Sequence, residues 1–218
     1  MTVNGGRVDA EMEIIMRAEI VKLDPDDPER AFSRCRDVIK RGGVIAYPTE
    51  TFYGLGVDPE NASALRRLFE IKGRQPDQPI LLLLPSQENV MDWAALVTPS
   101  AQDLMRRFWP GPLTLVFPAR GDVLPELTAG SGTIGIRVPG NETTRRLLKS
   151  LGMALTGTSA NLSGGPSLRT AQEVVETLGD RVDLVLDAGA TPGGMPSTVV
   201  DVTGDTPRVI REGAVFMP

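Results

Sequence analysis

The sequence contains no histidine and only one cysteine among its 218 residues. The absence of histidine excludes the usual zinc sites, Ser-His and Cys-His catalysis, and imidazole acid-base chemistry. A single cysteine cannot form an internal disulfide. Cys35 shares one predicted helix face with four apolar residues between Ala31 and Ile39, so we predict a core position rather than a nucleophile. Any enzymatic chemistry must therefore use carboxylates, Lys, Arg, hydroxyls, backbone amides or a metal bound by carboxylates and phosphates.

Long apolar runs are also missing. No uninterrupted stretch approaches the ~20 apolar residues that a membrane-spanning helix needs. The N-terminal segment, residues 1–20, carries acidic residues inside its apolar part and does not have the pattern of a signal peptide. We therefore expect a cytoplasmic protein without a membrane partner.

The protein has fewer basic than acidic residues, and few of the basic residues are lysines. The formal net charge is −5 and the isoelectric point is near 4.9, so strong non-specific binding of nucleic acid is not expected, although a local basic patch stays open. Of the 23 basic residues, the lysines are only Lys22, Lys40, Lys72 and Lys149. Genome base composition explains most of this bias, but it makes Lys72 more noticeable.

The order of the predicted elements indicates one α/β domain with a mixed sheet, covering residues 18–218 after an N-terminal extension, residues 1–17, that lacks clear periodicity. We see no repeats or linker. The predicted strands are Ala18–Leu23, Val44–Tyr47, Ile80–Leu84, Leu113–Phe117, Thr133–Val138, Ala154–Thr156, Leu184–Leu186, Thr198–Val202 and Arg208–Arg211. The predicted helices are Pro28–Lys40, a helix between Asn61 and Gly73, Gln87–Ala95, Ser100–Arg107, Glu142–Leu151 and Thr170–Leu178.

The stretch Ile45–Arg74 runs from a short buried strand through a Thr/Gly-rich turn into an amphipathic helix. The turn carries Thr49, Glu50, Thr51 and Tyr53, which in isolation are ordinary local capping groups. Lys72 continues the apolar stripe of the helix. It is either a cation that complements the helix C-terminus or a functional group directed into the protein.

A second polar segment, residues 156–167, interleaves hydroxyls and glycines after a predicted strand. Such a segment suits a nest of backbone N–H groups and hydroxyls that holds phosphate oxygens, although a polar surface loop has the same composition. Arg137 and Arg211 end two predicted strands and suit bidentate binding of carboxylate or phosphate. The sequence GSGTIG, residues 130–135, matches a dinucleotide fingerprint formally, but it enters a strand instead of leaving one for a helix, so we reject it.

Taken together, these segments resemble the YrdC-like family of L-threonylcarbamoyladenylate synthases. The resemblance rests on motifs that follow the family's order from about residue 30 to the end of the chain. They are YPTETFYGLG (47–56), KGR (72–74), FWPGPLT (108–114), IRVP (136–139), TSANLSG (158–164) and STVVD (197–201). Because the chain stops at Pro218, it resembles the short form of the family, without a further C-terminal domain.

The resemblance implies a single-domain α/β fold in which helices flank a twisted mixed sheet around an open cavity. It also implies a reaction in which L-threonine, bicarbonate and ATP give threonylcarbamoyl-AMP and pyrophosphate, with Mg²⁺ bridging the phosphates and without a dedicated metal site in the protein. The product would feed N6-threonylcarbamoyladenosine formation in tRNA through downstream transfer proteins. Direct contact with RNA is an open possibility.

The resemblance also assigns roles to individual residues. It implies that the catalytic residues are Lys72, Arg74, Ser159 and Asn161. It implies that threonine is bound by Thr51, Arg137, Gly157 and Ser197. It implies that the nucleotide is bound by Arg74, Gln78, Thr133, Ser159, Ser167 and Arg211.

Two positions depart from the family pattern. Gln78 replaces an asparagine, and Leu83 replaces a histidine that many relatives carry, so that one polar threonine contact is lost or replaced. Two alternatives to the synthase therefore stay open. One is a paralogue that makes a carbamoyl adenylate from another acceptor, and the other is a double-stranded-RNA-binding protein of RNA maturation.

Overall fold

The computed structural model describes residues 18–73 and 78–217. The predicted N-terminal extension, residues 1–17, lies outside these ranges, and so does Arg74. Within the described part of the chain the structure forms ten strands and six α-helices. The strands are β1 (Glu19–Lys22), β2 (Ile45–Tyr47), β3 (Gly54–Gly56), β4 (Leu81–Leu83), β5 (Leu113–Pro118), β6 (Thr133–Arg137), β7 (Leu155–Ser159), β8 (Leu184–Asp187), β9 (Thr198–Asp201) and β10 (Arg208–Arg211). The helices are α1 (Pro28–Lys40), α2 (Ala62–Lys72), α3 (Pro99–Phe108), α4 (Pro125–Thr128), α5 (Glu142–Leu151) and α6 (Ala171–Leu178).

All ten strands belong to one mixed sheet with the order β1-β8-β2-β3-β7-β4-β6-β5-β9-β10. The central strand β4 pairs antiparallel with β7 and parallel with β6. The predicted mixed sheet is thus confirmed, with β1 at one edge and β10 at the other. No helix of the described residues is long and apolar enough to cross a membrane.

Side chains alternate between the two faces of each strand, and the core divides accordingly into two clusters. Ile45 and Tyr47 belong to a cluster with α1 and α5, whereas Ala46 between them belongs to a larger cluster with α2, α3 and α6. The same alternation occurs in β4, where Leu82 and Leu83 belong to different clusters. Helices therefore pack on both faces of the sheet. The apolar run at β4 predicts a strand covered on both faces, but α1 and α5 leave the face with Leu81 and Leu83 open. Cys35 is fully buried in the first cluster, as predicted.

The helix boundaries follow the capping signals in the sequence. Asn61 caps α2 by accepting hydrogen bonds from the backbone of Ser63 and Ala64, and Gly73 ends the helix with a φ of 57°. Thr170 forms a capping box with Glu173 at the start of α6. The predicted bounds of α1 and α5 are confirmed at both ends.

Three local predictions were wrong. The segment Gln87–Asp92 is a 3-10 helix rather than part of an α-helix. The segment Gly54–Gly56, predicted as part of a turn, forms β3 because it pairs with both β2 and β7. β7 continues to Ser159 instead of ending at Thr156, since Gly157 pairs with Leu81 and Ser159 with Gly54.

Candidate active site

A cavity of about 610 Å³ lies over the middle of the sheet. Its floor is built by alternate residues of neighbouring strands, for example Thr133, Gly135 and Arg137 of β6 and Leu81 and Leu83 of β4. The cavity lies on the same face of the sheet as α1 and α5. Leu83 shows this, because it belongs to the hydrophobic cluster that these two helices form with β2 and β8. The cavity therefore occupies the part of that face which these two helices leave open.

The predicted threonine and nucleotide residues converge on this cavity from distant parts of the sequence. Eight of them line it: Thr51, Thr133, Arg137, Gly157, Ser159, Ser167, Ser197 and Arg211. They come from the β2–β3 turn, the strands β6, β7 and β10, and the loops that precede α6 and β9. The sequence prediction that separate polar segments form one site agrees with this arrangement.

Arg137 and Arg211 are the charged side chains in the described lining of the cavity, and both are positive. Burial, followed by the nearby charge of Arg137, lowers the pKa of the Arg211 guanidinium from its ordinary value. The protein thus holds two guanidinium groups close enough to repel each other beside the same cavity. An anionic ligand would relieve that repulsion, so the cavity is suited to phosphate or carboxylate groups.

Arg211 is held against the loop that carries Ser197. Its Nη2 donates to the backbone oxygen of Ser197 at 2.8 Å and to the Ser197 hydroxyl at 3.2 Å. The same hydroxyl lies 3.0 Å from the hydroxyl of Thr114, in β5. A residue predicted to bind threonine and a residue predicted to bind the nucleotide therefore touch each other, and the two subsites meet at this point.

The β2–β3 turn is shaped by its own threonines. The Thr49 hydroxyl donates to the backbone oxygen of Phe52 at 2.7 Å and lies 3.2 Å from the Thr51 hydroxyl. The turn is further anchored by Gly193, whose N–H donates to the Thr51 carbonyl at 2.8 Å. These contacts fix the backbone from which Thr51 reaches the cavity.

Lys72 does not belong to the cavity lining, although it is buried as its place on the apolar stripe predicts. Its ammonium donates to the backbone oxygens of Ser159 and Asn161 at 2.5 and 2.9 Å and lies 3.2 Å from Asn161 Oδ1. The backbone carbonyl of Lys72 also accepts from the N–H of Ser163 at 3.0 Å. A lysine ammonium has three protons to donate, and the loop offers three acceptors. The contacts of Lys72 therefore bind α2 to the end of β7 and the following loop.

Ser159 and Asn161 interlock beside this lysine. The Ser159 hydroxyl donates to Asn161 Oδ1 at 2.5 Å, and Asn161 Nδ2 donates to the Gly165 carbonyl at 2.6 Å. Ser159 lines the cavity, whereas Asn161 is buried and does not. Gln78 is exposed and is also outside the lining, although its neighbours Pro79 and Ile80 belong to it. Arg74, predicted to act with Lys72, lies outside the described residues.

Gly157 of β7 lies close to two side chains of the neighbouring strand β4. A Cβ atom there would lie 2.7 Å from Leu81 Cδ1 and 3.0 Å from Leu83 Cγ. Leu83 is fully buried and lines the cavity. Leu83, the position for which the family resemblance predicts histidine, thus gives this cavity an apolar surface beside Gly157.

Sequence reasoning missed part of the site. It treated Glu50 as a local capping group, but the carboxylate lies 3.5 Å from the guanidinium of Arg137. It did not single out Tyr47, Thr114 or Val199, which line the cavity. The period-two alternation could have found Val199, which lies two residues after Ser197, but β2 and β5 carry no predicted site residue from which Tyr47 and Thr114 could have been inferred.

The family model Sua5_yciO_yrdC, described as "Telomere recombination", matches residues 37–213. The chain belongs to the Sua5/YciO/YrdC family. The motifs quoted above for the YrdC-like resemblance lie within or directly beside this match, and the fold expected from it is confirmed.

Individual members of the Sua5/YciO/YrdC family are similar to this protein over most of its length. The threonylcarbamoyl-AMP synthase of Thiobacillus denitrificans is 42% identical over 173 residues, 79% of this chain and 90% of the relative. That of Bacillus subtilis is 36% identical over 195 residues, 89% of this chain and 56% of the relative. The crystal structure of Pyrococcus abyssi Sua5 complexed with L-threonine superimposes with a TM-score of 0.85 at 35% identity, covering 89% of this chain and 57% of that one. The chain thus spans about half the length of the Bacillus and Pyrococcus relatives and most of the length of the Thiobacillus relative.

Proposed function

We propose that this protein is an L-threonylcarbamoyladenylate synthase that converts L-threonine, bicarbonate and ATP to threonylcarbamoyl-AMP, pyrophosphate and water. The observation that carries the proposal is the joint lining of one cavity by eight residues that the family resemblance assigns to threonine and nucleotide binding. The names of the relatives support the same activity.

The threonine would bind at the Arg137 side of the cavity. A guanidinium suits a planar carboxylate because it can donate two parallel hydrogen bonds. Arg137 lines the cavity. Its Nε is buried and has no hydrogen-bond partner among the described protein atoms, so the protein itself does not satisfy this guanidinium. The hydroxyls of Thr51 and Ser197 would contact the rest of the amino acid.

The nucleotide would bind at the Ser159 and Arg211 side. The hydroxyls of Thr133, Ser159 and Ser167 and the Arg211 guanidinium line the cavity and can hold phosphate oxygens. Lys72 would contribute by holding the Ser159–Asn161 segment in place, since its ammonium is engaged by that segment. Arg74 would complete the phosphate site.

The reaction requires two bonds to form in sequence. The threonine amine first forms a C–N bond with the bicarbonate-derived carbon, giving a carbamate with loss of water. A carbamate oxygen then attacks the α-phosphorus of ATP, and the bond to the bridging oxygen of the β-phosphate breaks, releasing pyrophosphate. Positioning and charge stabilisation dominate such phosphoryl chemistry, which is consistent with a protein that has no histidine.

Magnesium would enter as part of the ATP substrate. Among the described residues, no group of three or more acidic or cysteine side chains could hold a metal ion, and the described cavity lining contains no carboxylate. The phosphates and water would therefore supply the ligands of Mg²⁺.

The identity of the acceptor needs a direct test, because Leu83 gives the cavity an apolar wall. Purified protein should be incubated with ATP, labelled bicarbonate and each of several amino acids. Label in an adenylate only with threonine supports the proposal, whereas label with a different acceptor would replace threonine as the substrate. No ATP turnover with any acceptor, together with salt-sensitive binding of duplex RNA, would favour the RNA-binding alternative instead.

The product would serve tRNA modification. An acyl adenylate is an activated donor, so a transfer protein must accept the threonylcarbamoyl group and place it on N6 of an adenosine in tRNA. The partners of this protein would then be those downstream transfer proteins, and the setting would be the cytoplasm.

A further inference from the structure

The residue preceding Thr51 forms a contact that no binding or catalytic role has yet explained. Glu50 belongs to the β2–β3 turn, but its side chain is not part of the cavity lining. Its carboxylate instead meets Arg137 at the end of β6 and the backbone of Asn141 at the start of α5. Two adjacent residues of this turn therefore differ in their relation to the cavity. Thr51 lines it, whereas Glu50 contacts Arg137, which lines it.

The contact between Glu50 and Arg137 is long for an ion pair, and it joins a buried arginine to a largely buried glutamate. The side chains are only 17% and 8% exposed, and the nearest approach joins Glu50 Oε1 to Arg137 Nη1 at 3.5 Å. Neither Glu50 Oε1 nor Arg137 Nε has a hydrogen-bond partner among the described atoms. Buried polar groups without such partners are uncommon and unfavourable. The guanidinium is thus held by charge, and its Nε donor is not used by the protein.

The other oxygen of Glu50 is fixed to the backbone. Glu50 Oε2 accepts from the N–H of Asn141 at 3.3 Å. Asn141 in turn caps α5 through its side chain, which accepts from the backbone N–H of Thr144. The carboxylate is therefore tied to a helix start, and its position does not depend on Arg137 alone.

We propose that Glu50 is a positioning residue for amino-acid binding: it holds the Arg137 guanidinium at the cavity wall and leaves its donors available for the substrate carboxylate. This inference rests on the proposed function, because it takes the ligand of Arg137 to be the threonine carboxylate. A bidentate Glu50–Arg137 pair would compete with the substrate for the same donors. A neutral residue at position 50 would leave Arg137 without its counter-ion beside Arg211, whose own pKa reflects the charge of Arg137.

The proposal predicts a selective change in substrate binding. Glu50→Ala should raise the KM for threonine about 10-fold or more, while the KM for ATP changes less than about 2-fold. Glu50→Gln keeps the side-chain length and an oxygen that can accept from Asn141 but removes the negative charge, so it should retain most of the loss. Glu126→Ala is the matched control, because Glu126 pairs with Arg66 outside the cavity lining and should leave both KM values unchanged.

A double-mutant cycle separates positioning from a general structural effect. If Glu50 acts through Arg137, the variant with both Glu50→Ala and Arg137→Ala should bind threonine no more weakly than Arg137→Ala alone. An unchanged KM for threonine in Glu50→Ala would overturn the proposal. Fully additive losses in the double variant, or equal rises in the KM values for threonine and ATP, would also overturn it.

The wild-type protein distinguishes this proposal from the function on which it rests. Threonine-dependent turnover in the wild type with no effect of Glu50→Ala would reject the role of Glu50 alone. Absence of threonine-dependent turnover in the wild type would reject the proposed function, and the role of Glu50 in threonine binding with it.

Discussion

The ammonium of Lys72 lies 2.5 Å from the backbone carbonyl oxygen of Ser159. This contact connects the last residue of α2 to the last residue of β7. Lys72 and Ser159 are 87 residues apart in the sequence, and the second of them lines the cavity. The lysine of the KGR motif therefore shapes the cavity through the segment that it holds.

Lys72→Ala should lower the turnover number at least ~100-fold, the scale expected when a distant change misplaces active-site groups by about 1 Å. The Ser159–Asn161 segment would lose its central donor, and Ser159 would no longer be held at the cavity. Steady-state turnover and thermal unfolding of the variant measure both effects. Lys149→Ala is the control, since Lys149 lies in the last turn of α5 and outside the cavity lining.

Arg74→Ala should lower turnover on a similar scale, as the family motif indicates. This prediction rests on the sequence alone because Arg74 lies outside the described residues. Near-wild-type turnover in both Lys72→Ala and Arg74→Ala would reject the role assigned to the KGR motif.

Arg211→Ala should raise the KM for ATP about 10-fold or more. The variant loses a hydrogen bond between a charged donor and a phosphate, which contributes roughly 1.5–3 kcal/mol. Arg208, on the same strand, provides a matched control because it is exposed and pairs with Asp201. Equal KM values for ATP in Arg211→Ala and Arg208→Ala would remove Arg211 from the nucleotide site.

Gly157→Ala should destabilise the protein by about 1–3 kcal/mol, because the added methyl group enters an occupied space between β7 and β4. The nearest atoms belong to Leu81 and Leu83. Gly121→Ala is the control, since a Cβ atom at Gly121 has no heavy atom within 4 Å. Urea unfolding at fixed pH measures both free energies, and a Gly157→Ala midpoint equal to that of Gly121→Ala would contradict the close approach.

Stability should fall at alkaline pH partly through Cys35. Burial raises the pKa of this thiol from 9.0 to about 12, so the native state keeps the proton that the unfolded state loses above pH 9. The free energy of unfolding therefore decreases as the pH rises through this window. Between pH 8.0 and pH 10.5 the contribution of Cys35 amounts to about 2 kcal/mol, because the full slope of ~1.36 kcal/mol for each pH unit applies once most of the unfolded thiol is ionised.

Comparing the wild type with Cys35→Ala isolates this effect, because Tyr47 and Tyr53 also have raised pKa values and are present in both proteins. Urea unfolding at pH 8.0 and pH 10.5 should show a larger loss of stability in the wild type. An equal loss in the two proteins would mean that the thiol ionises in the native state.

Local sequence signals were enough to predict the structure where a residue's contacts are with residues close to it in the chain. The bounds of α1 and α5 follow from Pro28, Asn141 and the glycines that end each helix, all of which act within a few residues. The expectation that the GSGTIG segment enters a strand is likewise confirmed, since β6 begins at Thr133.

The missed features depend on contacts between distant segments. The segment Gly54–Gly56 has the composition of a turn, and only its pairing with β2 and β7 makes it a strand. The contact of Glu50 with Arg137 spans 87 positions and has no local signature. The family resemblance assigned the cavity residues to one site. It could not give the direction of the Lys72 ammonium, because that direction depends on the packing of α2 against the end of β7 and the following loop.

The most direct test of the proposed activity measures two products in one reaction. Purified protein receives ATP, Mg²⁺, ¹⁴C-bicarbonate and L-threonine, and both pyrophosphate and ¹⁴C-labelled adenylate are quantified over time. The proposed mechanism predicts equal amounts of the two products, with neither formed when threonine is omitted. Pyrophosphate release that does not depend on threonine, or an adenylate without label, would contradict it.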